Sequence, residues 1–259
     1  MQPWYRPTFA PEHGALLVLF GSLLSGAALA QSWTSNTTWA CVCAGCALQA
    51  EHPLVVQLKQ RRSWKPRYLV WAGIYGSLSL SMALYLALKT PELLGLYFLG
   101  LISLLIDGIA VLKHQQKSIA NELVMFAAIC LSTLLAYGAT TGALTVQAWG
   151  LWILNTLFYA SAIFTIKLRK TKTNHLKPGA IFLGIAVLVT LGLFYYQWLL
   201  PLTALTLALA VLKFGVVVWQ RDWYTQCQFE HVARFETYFT VAYVCLVALT
   251  VLPPTLPRA

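Results

Sequence analysis

Residues 11–30 read PEHGALLVLFGSLLSGAALA. One carboxylate and one imidazole, Glu12 and His13, stand before a run with no charged side chain from Gly14 to Ala30. A helix needs about 20 mainly apolar residues to cross the hydrocarbon core of a bilayer. The run therefore reads as a helix whose solvent is lipid. The pattern recurs along the chain, and hydropathy predicts about nine such helices, near 14–31, 36–58, 68–88, 92–112, 119–142, 145–167, 179–197, 199–219 and 236–253. The expected fold is all-α: one polytopic transmembrane helical bundle over residues 1–259, with no separate soluble domain.

Composition agrees. Of the residues, 59% are hydrophobic and 10% charged, whereas soluble domains carry roughly a quarter charged residues. So few charges would not cover a globular surface. The net charge of +10 is read as a topology signal and as contacts with anionic lipid, not as a nucleic-acid footprint.

The bases carry the orientation. If the spans alternate from an inside N-terminus, every Lys and Arg except Lys89 and Arg258 falls on the cytoplasmic side, out of 18. That is the positive-inside bias, and it places the C-terminus outside. Tryptophans form the matching belts, with Trp33, Trp39, Trp149, Trp152 and Trp198 near the outer boundary and Trp4, Trp64, Trp71, Trp219 and Trp223 near the inner one. One alternative concerns the first span. Small residues before Gln31 resemble a leader cleavage site. However, Arg6 is the one basic side chain ahead of the core, and Glu12 abuts it. The span is therefore expected to be retained.

The acids and histidines gather on the same side. Glu-His recurs at Glu12–His13, Glu51–His52 and Glu230–His231, and these pairs use three of eight acids and three of five histidines. Glu51 precedes Lys59 by eight residues, roughly 12 Å of helix, and Asp107 precedes Lys113 by six, roughly 9 Å. Ionisable groups at such depth need a partner or a wet cavity and are functional candidates. Glu12, His13, Glu51, His52, Asp107, Asn121, Glu122 and Asn155 are the expected lining of a cytoplasm-facing cavity. For Glu12 and Glu122 a place at a helix start is the competing explanation, and for Asn155 it is a bond to a neighbouring helix. Lys167 and Arg169 are weaker candidates for holding a phosphate. Cys41, Cys43 and Cys46 sit in an apolar run without further ligands at zinc spacing, so they read as small packing residues and no metal site is expected.

Two resemblances follow from particular stretches. PEHGALLVLFGSLLSG at 11–26, AEHPLVV at 50–56, ANELVMFAAICLSTLLAYGATTG at 120–142 and WGLWILNTLFYASAIFTIKLRK at 149–170 together resemble the YwiC-like family of bacterial membrane proteins. The likeness runs from residue 7 to about 172, and it implies the bacterial inner membrane as location. It carries no assigned activity. The span count, the YRPTFAP opening at 5–11 and the stretch around Glu122 are similar to the UbiA-type prenyltransferase superfamily. That likeness implies prenyl transfer with a Mg²⁺-bound diphosphate, since a diphosphate needs divalent cations and Mg²⁺ needs carboxylate oxygens. The Asp-rich motifs are missing. QAEHPLVVQLKQRR at 49–62 offers Glu51 alone, and IKLRKTKTN at 166–174 offers only bases.

The expected function is accordingly the binding or handling of an isoprenoid, quinone, pigment or other membrane lipid. The alternatives are a Mg-dependent prenyltransferase-like enzyme that rebuilds its metal site from Glu12, Glu51, Asp107 and Glu122, and a proton-coupled transporter. No cofactor is assigned outside the first alternative.

Overall fold

Inside a bilayer the backbone must satisfy its own polar groups, so uncharged runs of span length become helices. The computed structural model describes residues 7–9, 13–60, 63–170 and 175–252 and is helical throughout its ordered elements. In chain order these are α1 (His13–Leu29), α2 (Ser35–Lys59), α3 (Pro66–Lys89), α4 (Leu93–Leu112), α5 (Ile119–Thr141), α6 (Val146–Lys167), α7 (Lys177–Tyr195), α8 (Pro201–Leu205), α9 (Ala208–Trp219), α10 (Arg221–Gln226) and α11 (Phe229–Val251). Eight helical stretches among the described residues are long and apolar enough to cross a membrane, with α8 and α9 together forming one of them. The protein is therefore a multi-pass membrane protein, as the sequence pattern predicts.

Local chemistry sets the boundaries. Thr34 caps α2 in a reciprocal box with Thr37, Ser118 caps α5 and Thr145 caps α6 through their side chains. Proline occupies the first turn of α3, α7 and α8, where its missing N–H costs nothing. Gly142 ends α5 at φ +83°, a left-handed position that glycine takes without strain.

The first helix differs from a simple span. At 17 residues it rises about 25 Å, short of the hydrocarbon core. It lies at the centre of the bundle, against α5, α11 and α6, with Val18, Leu19, Ser22, Leu23 and Ser25 buried. Contact there is very close: a Cβ on Gly26 would stand 2.2 Å from the Thr133 carbonyl oxygen. Ser132 Oγ donates to the Leu19 carbonyl at 3.3 Å. Small residues let the two backbones approach, as in other membrane bundles.

α5 and α6 complete the central layer. α2 and α3 pair with each other on one flank, joined by α4, while α7, α8, α9 and α11 cover the other. Two boundaries differ from the sequence expectation. The span expected at 199–219 is broken between Leu205 and Ala208, where backbone bonds shorten to three-residue spacing, including Leu207 N–H to Ala204 O and Ala210 N–H to Leu207 O. The last helix starts at Phe229, not 236, because Val232 packs with Leu168, Val217 and Tyr224 in an apolar cluster that holds its first turns.

Candidate functional site

α3 and α4 meet each other sparingly, although both lie on α2. The space left between α2, α3, α4 and α5 is a cavity of about 490 Å³, within the size range of small-molecule sites. Small side chains vacate it. Ala44 and Ala47 come from α2, Gly76 and Ala83 from α3, Gly100 from α4 and Ala128 from α5. A Cβ added to Gly76 or Gly100 would meet nothing within 4 Å. Along α2 the lining runs from Cys43 to Leu54, about 16 Å of helix rise. The walls are mostly apolar, and Glu51 is the carboxylate among them.

The described members of the expected cavity set stand in several places. Glu51 lines the cavity, and His52 follows it on α2, partly buried. Glu12 and the His13 side chain lie outside the described residues. Asp107 and Asn121 are both buried and bond to each other across the α4–α5 turn, Asn121 Nδ2 donating to Asp107 Oδ1 at 2.7 Å and to the Gln116 carbonyl at 3.1 Å. Their outer oxygens, Asp107 Oδ2 and Asn121 Oδ1, have no hydrogen-bond partner. Glu122 forms a salt bridge with Lys167 at 2.6 Å. Asn155 is elsewhere in the core, donating to Thr133 Oγ1 at 2.8 Å and accepting from the Tyr243 hydroxyl at 2.8 Å. That is the inter-helix role weighed for it.

The two phosphate candidates are engaged with protein atoms. Lys167 Nζ also donates to the Lys117 carbonyl at 2.9 Å. Arg169 donates to the carbonyls of Tyr224 at 3.2 Å and Cys227 at 2.6 Å, tying the end of α6 to α10. Of the four carboxylates that the Mg²⁺ alternative needs, Glu12 lies outside the described residues. Among the described residues, Glu51, Asp107 and Glu122 included, no group of three His, Cys, Asp or Glu is set to hold a metal. Cys43 is a packing residue, its thiol donating to the Ser79 carbonyl at 3.4 Å.

A further polar centre escapes the sequence pattern. Lys213, fully buried in α9, donates to Glu236 Oε2 at 2.9 Å. Glu236 Oε1 accepts from Thr165 at 2.8 Å and from Tyr224 at 3.0 Å. One carboxylate thus joins α6, α9, α10 and α11. Burial, and then the Glu236 charge beside it, push the Tyr224 phenol well above its ordinary pKa. The available signal was a lone lysine within LALAVLKFGVVVW at 207–219. The serines of the cavity wall, Ser79, Ser103 and Ser132, had no signal of their own, since single serines in spans are common.

These features define a class: a helical, multi-pass membrane protein with an apolar cavity on one flank of its central helices. The model of the YwiC-like protein family matches residues 9–137. Over that stretch, which contains α1 to α4, α5 as far as Tyr137 and the whole cavity wall, the chain belongs to the YwiC-like family. No curated protein matches the chain, and no solved structure matches it. The UbiA-type likeness rests on the sequence stretches alone.

Proposed function

We propose that the protein binds an amphipathic membrane lipid of the isoprenoid or quinone kind in the cavity between α2 and α5. The tail lies along Ala44, Gly76, Gly100 and Ala128, and the polar end lies at Glu51. The observation that carries this is the cavity itself, about 490 Å³ in volume, mostly apolar, lined along about 16 Å of α2 and carrying one carboxylate, Glu51. Pockets of this size with few polar groups are the usual form of lipid and cofactor sites. The matched family stretch covers every residue that lines it. The base-rich ends of the spans face the cytoplasm of a bacterial cell in this proposal, so Glu51 lies on the inner half.

Native mass spectrometry of protein gently extracted from its own membrane, with lipid extraction alongside, tests the proposal. Wild type retains a specific amphiphile, and a Gly76→Phe, Gly100→Phe protein that fills the cavity loses it. Bulk phospholipid alone in both samples contradicts it.

A further inference from the structure

We propose that the Asp107–Asn121 pair, where α4 turns into α5, holds a monovalent alkali cation, sodium or potassium.

Two oxygens raise the question. Asp107 is 1% exposed and Asn121 4%. Asn121 spends its amide protons on Asp107 Oδ1 at 2.7 Å and on the Gln116 carbonyl at 3.1 Å. Both protons of the amide are then used, which fixes the way the side chain is turned. Asp107 Oδ2 and Asn121 Oδ1 remain, buried and without a hydrogen-bond partner. They belong to the two groups joined by the 2.7 Å bond, so they stand beside one contact. Buried polar atoms are almost always satisfied, and an exception points to a water or an ion.

Charge separates these two occupants. Asp107 lies six residues before Lys113, roughly 9 Å of helix from the inner edge. A buried carboxylate at such depth needs an opposite charge. The ion pairs seen among the described residues are Lys167–Glu122, Lys213–Glu236 and Arg234–Glu230, and Asp107 is in none of them. Lys167 is held at this turn through the Lys117 carbonyl at 2.9 Å, and Glu122 at 2.6 Å matches its charge. Lys113 and Lys117 are exposed. One negative charge is therefore left over inside the α4–α5 junction. A water bonds both oxygens and leaves that charge standing. A cation answers both demands.

The donors set the class of ion. All are oxygens, the ligands that hard cations take. Gln116 O and Ser118 Oγ are further oxygens of the same turn. Each already accepts from Asn121 and has a second lone pair. The pair carries one carboxylate, and no group of three His, Cys, Asp or Glu stands among the described residues to hold a more highly charged metal. A single positive charge is the match.

The test melts the full chain in a mild detergent, at fixed and mildly alkaline pH, in sodium, potassium and choline chloride of equal ionic strength. The wild-type midpoint is expected to be higher in sodium or potassium than in choline, by about 5 °C at roughly a hundredfold excess of ion over its dissociation constant. The salt with the larger shift names the ion. Asp107→Asn keeps the side-chain size and removes the charge. It is expected to melt alike in all three salts, at or above wild type in choline. Asp222→Asn changes an exposed acid on α10 and is expected to keep the wild-type shift. Equilibrium dialysis of wild type with radiolabelled sodium, and with rubidium standing for potassium, is read in parallel and does not depend on any variant folding. One retained ion per chain is expected. Equal midpoints in the three salts, or no retained ion, overturn the proposal and leave a water or a proton at the pair. A shift that persists in Asp107→Asn also overturns it, because the ion then acts elsewhere.

Discussion

Lys213 and Glu236 meet as a close ion pair in a bundle that has few charges to give. Removing charges from water costs several kcal/mol each, and only good geometry and extra hydrogen bonds offset it. Here Thr165 and Tyr224 supply those bonds. Glu236→Ala strands the buried ammonium and is expected to cost about 3–5 kcal/mol, read as unfolding free energy in a mild detergent. The double variant Lys213→Leu, Glu236→Leu is expected to recover most of that loss, because no charge is left unpaired. Sequence reasoning placed Lys213 among the inner-side bases but missed its burial, since the depth of a lysine depends on which helices surround it. It singled out Asp107 and Asn121 separately. Their pairing follows from the short α4–α5 turn, so adjacency was within reach while the bond itself was not. Glu122 and Lys167 belong to different helices, and nothing in either stretch names the other.

Helices are the scale at which the sequence was most legible. Each apolar run became a helix, because lipid leaves the backbone no alternative. Hydropathy counts residues and ignores partners, so it missed the break before Ala208 and the early start of α11. It also ranked α1 with the other spans, although α1 is the shortest of them and packs inside the bundle beside α5 and α6. Close packing at α1 gives a sharp contrast. Gly26→Ala pushes a methyl group against the Thr133 carbonyl and is expected to destabilise by about 1–3 kcal/mol. Gly45→Ala on α2 meets nothing within 4 Å and is expected to stabilise by about 0.5–1 kcal/mol, as alanine for glycine in a helix interior does. Thermal unfolding of the two variants side by side checks the difference in sign.

At the scale of the whole molecule, the bundle leaves a space it could have filled. Packed interiors tolerate few voids larger than water, and this cavity of about 490 Å³ opens to the outside of the bundle, where Leu80 and Leu101 of its wall are exposed. It is made by absence: glycine and alanine on four helices, with α3 and α4 kept apart. No single stretch of sequence carries that signal, and this is why Glu51 was legible as a candidate while its surroundings were not. A Cβ at Gly100 meets nothing within 4 Å, and the position borders the cavity, so Gly100→Leu is expected to leave unfolding in detergent within about 0.5 kcal/mol of wild type while reducing lipid retention. The most direct measurement is an experimental density map of the protein extracted with its native lipid. The account predicts continuous elongated density bordered by Ala44, Gly76, Gly100 and Ser132, ending beside Glu51. A map in which α3 and α4 close over the space, with side chains filling it and no ligand density, would contradict it.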